Sequence, residues 1–339
     1  MLQKAMGKQL NNKCDSTLDG VEQDQIEIKE KEKKRHLAVI DIGTNSTRML
    51  IFRNDQGKLV RVNKSVRYTR MGQGVNKTGR LHPDAEKRNM EALEEYKNIA
   101  ADYGVEEFYL FGTSAMRDAD NTAAYLETVK EKLGFEIEVI SGEAEAELGF
   151  VGVSQCFEEK ILIFDIGGGS TEFIYGEDNE LKRMMSINLG CVRCTEEYLF
   201  SDPPTFQELE RMNEKIYAEF EQRTRGFLPT KPYKLIGIGG TATSLSTIKQ
   251  ELKTYCSEMV HESTITKDEL ERMIDSLAGK TIKERQNMVG LEAKRADIIL
   301  AGAFLLLNIF KITGETIFTV CDYDNLEGAA YSRFVMENK

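Results

Sequence analysis

The feature that most constrains this chain is a short plan of residues that occurs twice. Residues 161–174 read Ile-Leu-Ile-Phe-Asp-Ile-Gly-Gly-Gly-Ser-Thr-Glu-Phe-Ile, two β-branched or aromatic runs joined by a glycine turn. Residues 37–52, Leu-Ala-Val-Ile-Asp-Ile-Gly-Thr-Asn-Ser-Thr-Arg-Met-Leu-Ile-Phe, repeat the plan. Asp41, Ile42, Gly43, Ser46 and Thr47 match Asp165, Ile166, Gly167, Ser170 and Thr171 at a constant offset of 124 residues. Solenoid units recur every few tens of residues, so one repeat at this distance predicts two similar half-molecules instead. Each copy reads as a hairpin whose first strand ends on an acid.

The turns suggest a ligand. Gly167, Gly168 and Gly169 let the backbone fold tightly with its N–H groups outward, and Glu172 opens the following strand. Such a concave turn attracts anions, and an acid beside it can hold a hard cation that bridges to phosphate. A glycine hairpin without a ligand is the plain alternative for either copy alone. Two acid-tipped turns facing each other would enclose a cleft for a phosphorylated molecule. Neither turn is a dinucleotide fingerprint, since the glycines do not space as G-x-G-x-x-G and a strand follows. The P-loop pattern is absent as well.

Length and charge narrow the classes. At 339 residues, 41% apolar and 30% charged, the chain can build two domains with full cores. No apolar run approaches the ~20 residues that span a bilayer, and no signal-peptide core opens the sequence, so no membrane partner is expected. Six cysteines (Cys14, Cys156, Cys191, Cys194, Cys256, Cys321) in a chain this large point to free thiols and the cytoplasm. Cys191 and Cys194 form one C-x-x-C without the second pair or histidine of a zinc site, and are expected as buried small hydrophobes at a helix start. The net charge of −11 excludes general nucleic-acid binding, although a local cationic groove could still take a polyanion. With only His36, His82 and His261 present, catalysis should rest on carboxylates.

Residues 1–35 are polar, end in a charged run, and read as a disordered tail dispensable for chemistry. A strand is expected over 58–68, where Arg61, Lys64, Arg67 and Arg70 form either a cationic wall or a solvated face. A helix follows over 84–103 and a buried strand over 108–111, leading to Gly112-Thr-Ser-Ala-Met-Arg-Asp118. After a helix to Leu133 and a strand over 135–140, Ser141 is a plausible N-cap. Glu143, Glu145 and Glu147 crowd the next turns. One or two of them suit the helix dipole. Residues two apart differ by ~200° around a helix, so the three cannot share a face, and one is free to point into a cleft. Beyond the second hairpin, a strand is expected near 183–189, a helix over 205–225 and a strand over 234–238. The last runs into Gly239-Gly-Thr-Ala-Thr-Ser244 and a helix, a third candidate anion site. A long apolar helix (294–310), a strand (316–320) and a helix (326–336) close an α/β chain with mixed sheets.

With these motifs in order, the chain resembles the exopolyphosphatase and guanosine pentaphosphate phosphohydrolase family of the actin-like, sugar-kinase and heat-shock ATPase superfold. The resemblance spans about residues 37–335. It rests on Asp-Ile-Gly-Thr-Asn-Ser, Arg-Met-Gly-Gln-Gly, Gly-Thr-Ser-Ala-Met-Arg, Ile-Ser-Gly-Glu-Ala-Glu-Ala, Asp-Ile-Gly-Gly-Gly-Ser-Thr-Glu, Leu-Gly-Cys-Val-Arg and Gly-Ile-Gly-Gly-Thr. It implies two duplicated actin-like (ribonuclease H-like) domains, 36–155 and 156–339, around an interdomain cleft, with the last helix expected to cross back to the first domain.

The same resemblance implies magnesium-dependent release of the terminal phosphate from inorganic polyphosphate, with manganese as a substitute ion. Guanosine pentaphosphate is the alternative substrate. A kinase or ATPase of the superfold, and a binder without catalysis, are the remaining readings. By position, Glu145 would be the general base and Arg117 would neutralise charge on the transferred phosphoryl oxygens. Asp41, Asp165 and Glu172 would serve the metal. Asn45, Ser46, Gly168, Gly169, Ser170, Gly240 and Thr241 would contact phosphate. Two departures stand out. Cys321-Asp-Tyr-Asp-Asn-Leu-Glu-Gly328 replaces a turn expected to carry an arginine, with Leu326 at that position and Tyr323 in place of a glycine. The chain also ends near 339, so the helical domain of longer relatives is expected to be absent, and any channel it lines to be missing or rebuilt in a homodimer.

Overall fold

The computed structural model describes residues 35–336. The expectation of a disordered tail therefore falls almost wholly outside the described residues; Arg35 itself pairs with Glu106 at 2.9 Å and Glu107 at 2.8 Å. Strands β1 (His36–Ile42), β2 (Thr47–Asp55), β3 (Lys58–Arg67), β4 (Val105–Gly112) and β5 (Ile137–Val139) form one sheet, in the order β3-β2-β1-β4-β5. Strands β6 (Ile161–Ile166), β7 (Thr171–Glu177), β8 (Glu180–Ile187), β9 (Lys234–Ile238), β10 (Thr264–Thr266) and β11 (Ile317–Val320) form the other, ordered β10-β11-β9-β6-β7-β8. Apart from the added edge strand β10, the second order repeats the first. In both, three antiparallel strands are followed by parallel ones.

The repeat extends to the register. Asp41 faces Arg48 and Ile42 faces Thr47 across β1 and β2; Asp165 faces Glu172 and Ile166 faces Thr171 across β6 and β7. The first hairpin therefore carries a cation, Arg48, where the second carries an anion.

Central strands are apolar on both sides, as sheets covered on both faces require. Ala38, Ile40 and Ile42 point to the helices Pro83–Asp102 and Thr122–Leu133, while Leu37 and Val39 meet Leu326, Ala329, Ala330 and Phe334 near the C-terminus. Period-two alternation along β1 thus serves two separate cores. In the second sheet, Leu162, Phe164 and Ile166 pack under helices Phe206–Thr224 and Ile299–Thr313. Ile161, Ile163, Ile174 and Ile236 pack under Ala146, Phe150 and Val153 of helix Gly142–Val153. That helix and helix Asn325–Ala330 link the two sheets. They meet so tightly that a Cβ on Gly328 would overlap the Leu148 carbonyl oxygen.

Most expected elements are present with shifted ends. The long apolar helix starts at Ile299, after a 3-10 turn at Ala293–Arg295, and the closing helix is α-helical only over Asn325–Ala330 before π-helical winding over Tyr331–Met336. Cys191 and Cys194 are buried free thiols at the start of helix Cys191–Tyr198. Among the described residues, no helix is long and apolar enough to cross a membrane.

Candidate active site

The two acid-tipped turns come together. Each is closed by the same backbone bond, Gly43 N–H to the Ser46 carbonyl at 2.9 Å and Gly167 N–H to the Ser170 carbonyl at 3.0 Å. They touch through Thr44, whose Cβ would lie 2.8 Å from a Cβ on Gly168. Residues 70–72 wrap the first turn, with Arg70 N–H on the Asn45 carbonyl at 3.0 Å and Gly72 N–H on that of Thr44 at 2.8 Å. Arg193 ties the second turn to the first half. It donates to the Gly169 carbonyl at 3.1 Å and to Asp118 at 2.7 Å.

A cavity of about 640 Å³ opens on the turns. Asp41, Asn45, Ser46, Glu145, Asp165, Gly168 and Gly240 line it. The third glycine turn reaches it because Gly239 adopts φ +74, and a Cβ there would overlap Asp165 Oδ1.

The other expected site residues stand behind this wall. Ser170 is buried within its turn. Gly169 packs on Ser114 and Thr44. The Thr241 hydroxyl donates to the Ile166 carbonyl at 2.9 Å, so it braces the second turn. Glu172 is fully buried and accepts a hydrogen bond from Ser186 Oγ at 2.6 Å. Arg117 donates from Nη1 to Glu145 Oε2 and to the Ile140 carbonyl, both at 2.9 Å. Its guanidinium meets the candidate base.

Glu145 sits in the first turn of helix Gly142–Val153, whose Ser141 cap accepts the Ala144 N–H at 3.1 Å. Glu143 and Glu147 on the same stretch are exposed. Burial pushes the Glu145 carboxyl up to about 7, with Arg117 opposing the rise. Burial, then the nearby charges of Asp324 and Glu145, push Asp165 up to about 7. Burial, Glu145 and Asp165 together raise Glu172 well above the usual carboxylate range.

Arg48, which the sequence reading passed over, holds two more acids. It pairs with Asp41 and with Asp324 of the altered turn. Asp324 is buried, yet Arg48, Lys64 and the Leu326 N–H bring it below the usual carboxylate range. Asp41 stays raised because burial outweighs Arg48.

On β3, Arg61 and Lys64 are partly buried against acids, whereas Arg67, and Arg70 just beyond the strand, pair with acids at the surface and stay partly solvated. Arg61 contacts Asp322 at 2.7 Å and Glu327 at 2.8 Å; Lys64 contacts Glu327 at 3.1 Å. Arg67 pairs with Glu95, and Arg70 reaches Asp297 at 2.9 Å. The altered turn is thus a counter-charge for β3. A basic strand opposite an acidic turn 260 residues away leaves no local sequence signal. Arg295, another unanticipated lining residue, is buried against Gly240 with Nε unpartnered.

A magnesium ion suits this chemistry in part. Among the described residues, no three His, Cys, Asp or Glu side chains converge closely enough to hold a metal by themselves. Magnesium usually keeps several waters and takes only one or two carboxylates plus substrate phosphate. Asp41 Oδ1 is buried without a partner, and Asp165 lines the same cavity under the repulsion of neighbouring acids. A hard cation at these oxygens would offset both. Glu172 lies outside the lining and would act through the charge it adds behind Asp165.

Comparison with known proteins agrees with this architecture. Residues 50–336 match the Ppx/GppA phosphatase family. The chain is 34% identical to exopolyphosphatase 2 of Mycobacterium tuberculosis over 316 residues, covering 87% of this chain and 98% of that protein. It is 33% identical to the bifunctional 3-dehydroquinate synthase/phosphatase of Fusobacterium nucleatum, covering 91% of this chain but spanning only 48% of that relative. It is 29% identical to the guanosine-5'-triphosphate,3'-diphosphate pyrophosphatase of Vibrio vulnificus, covering 87% of this chain and 58% of that protein. Among solved structures, the Aquifex aeolicus family member superposes with a TM-score of 0.75 at 31% identity, covering 90% of this chain and 99% of that one. The match in motifs, duplicated sheets and length of alignment has one meaning: the chain belongs to the Ppx/GppA phosphatase family.

Proposed function

We propose that this chain is an exopolyphosphatase that hydrolyses the terminal phosphoanhydride of inorganic polyphosphate with a water activated by Glu145. The observation that carries the reading is the placement of Glu145, a buried carboxylate facing a cavity framed by two anion-attracting turns, with its pKa brought up to about 7. A base poised there can orient a water and accept its proton at working pH. Arg117, bonded to Oε2, fixes the carboxylate and leaves the other oxygen for the water. The backbone turns at Gly43–Ser46 and Gly167–Gly169 would seat the terminal phosphates. Magnesium, held by Asp165 and Asp41 with waters and phosphate, would supply charge neutralisation when bound.

One observation favours guanosine pentaphosphate as a second reading. The cavity extends past the turns into a lobe lined by Tyr68, Leu252, Met288, Val289 and Leu291, a surface that could take the apolar face of a base. Phosphate release from polyphosphate, guanosine pentaphosphate and ATP, measured side by side, separates the two. Faster release from polyphosphate supports the first reading, and a preference for the guanosine compound supports the second. Transfer of phosphate from ATP to an acceptor would overturn both.

Excess chelator should abolish release, and magnesium or manganese should restore it; full turnover in chelator would remove the metal from the reaction. The pH profile follows from the sign of the Glu145 shift. The base works only when ionised, so kcat/KM should rise as pH increases through about 7 and level off above it. A profile that falls across that interval would exclude Glu145 as the base.

A further inference from the structure

Helix Cys191–Tyr198 supplies nothing to the proposed hydrolysis directly, yet it holds every carbonyl of the second glycine turn. The Cys191 N–H donates to the Gly167 carbonyl at 2.9 Å, and the Val192 and Arg193 N–H groups donate to that of Gly168 at 2.9 and 3.2 Å. The Gly169 carbonyl is taken by a side chain, Arg193 Nε, at 3.1 Å. Gly190, just before the helix, packs so closely that a Cβ there would lie 2.5 Å from the Gly168 carbonyl oxygen.

A trans peptide points its C=O and its N–H in opposite directions. With the carbonyls of Gly167, Gly168 and Gly169 turned to the helix, the N–H groups of Gly168, Gly169 and Ser170 face the other way. Among the described residues, none of these three N–H groups donates to a protein acceptor. They are the free donors of a concave turn that attracts anions. A peptide turned over would present its oxygen instead and repel phosphate, and glycine puts little in the way of that rotation. Two of the peptides are fixed by backbone bonds. The one between Gly169 and Ser170 depends on Arg193.

Arg193 also reaches the first half of the molecule. Its Nη2 donates to Asp118 at 2.7 Å and its Nη1 to Asn76 Oδ1 at 2.5 Å. Asp118 ends the short helix Ser114–Asp118, beside Arg117, which bonds Glu145 at 2.9 Å. One guanidinium therefore spans the second turn and the helix that fixes the candidate base. Glu196, on the next turn of the same helix, adds a further tie by accepting the Gly74 N–H at 3.2 Å.

We propose that Arg193 is a positioning residue with two duties: it keeps the Gly169 carbonyl turned away from substrate phosphate, and through Asp118 it sets the second turn against Glu145. The second duty rests on the proposed hydrolysis; the first does not.

Inorganic phosphate is the probe for the first duty, its binding to the full chain followed by calorimetry with magnesium present. Arg193→Met should weaken that binding about tenfold or more, since a preorganised donor is lost and an acceptor is freed in its place. Asp118→Ala leaves the bond to Gly169 intact. It should bind phosphate as the parent does but lower kcat on polyphosphate about tenfold with KM little changed, because the base is then misplaced. Arg193→Lys should fall between parent and Arg193→Met, as an ammonium lacks the planar fork whose separate N–H groups reach several acceptors in fixed geometry. An arginine that served stability alone would not split phosphate affinity from kcat in this way. A folded Arg193→Met with the parent's phosphate affinity would overturn the proposal, and, should that variant not fold, parent-like affinity and kcat in Arg193→Lys would do so. Asp118→Ala with the parent's kcat would remove the second duty. A chain that binds phosphate through Arg193 yet releases none from polyphosphate would count against the hydrolysis and leave the first duty standing.

Discussion

Glu145→Gln is expected to lower steady-state phosphate release by ~10²–10⁴-fold while leaving fold and substrate affinity nearly intact. Glutamine preserves volume and can still accept and donate hydrogen bonds, but it takes no proton at neutral pH. It also keeps an oxygen for Arg117, which in the parent bonds Oε2 at 2.9 Å, so the arginine is not left without a partner. Removing a buried carboxyl raised to about 7 should even stabilise the folded chain at pH 8. A raised carboxylate costs stability once pH exceeds its unfolded value, and the cost stops growing above its folded value. A slower but more stable variant would separate a catalytic acid from a structural one. Glu143→Gln and Glu147→Gln are the controls. Both are exposed, and Glu143 is lowered by hydrogen bonding at the helix start, the ordinary work of an acid at an N-terminus. Their release rates should stay near the parent's. If Glu145→Gln turns over normally, the base lies elsewhere.

The same three acids show what the sequence makes legible. Their spacing alone says that they cannot share a face, and the motif around them singles out Glu145 by resemblance. Why Glu145 and not a neighbour is buried depends on the packing of Ala146, Phe150 and Val153 against the second sheet. The duplication could be read even at the level of register, since the constant offset already aligns Asp41 with Asp165. The edge strand Thr264–Thr266 was not legible, being too short for periodicity to register. Helix Lys267–Ala278 did carry a signal, the Thr266 and Glu269 capping box at its start, which the sequence reading left unused. Tertiary charge pairing was hidden for a different reason. Arg61 and Lys64 look like a free cationic face until the 321–328 turn is folded against them. Of the two substitutions that mark this turn as unusual in sequence, Leu326 packs in the apolar cluster with Leu37 and Val39, and the Tyr323 ring lies 4.0 Å beneath the Arg61 guanidinium.

Arg48→Met is expected to cost ~3–5 kcal/mol of folding stability at pH 8, the second large effect and one that bears on how the cavity tolerates its charge. Methionine keeps much of the stem volume but leaves Asp41 and Asp324 without their shared cation. Both face a cavity that Glu145 and Asp165 already make acidic, and Asp324 has Lys64 as its remaining cationic neighbour. Truncating one partner of a buried network exposes the desolvation cost of the rest, so the loss exceeds what a surface pair contributes. The pH dependence carries the sign. Without Arg48 both aspartates should titrate higher in the folded state, so the deficit should be large at pH 8 and shrink towards pH 5 as they take up protons. Arg48→Lys should recover only part, because an ammonium lacks the planar fork whose separate N–H groups reach both carboxylates in fixed geometry. Adding Asp324→Asn to Arg48→Met should restore stability by removing one of the orphaned charges, a coupling that a double-mutant cycle measures directly. Urea unfolding of Arg48→Met, Arg48→Lys, Asp324→Asn and the double variant, beside the parent, at pH 5 and pH 8 decides it. Arg48→Met as stable as the parent at pH 8 would mean that this cavity carries its acids without Arg48.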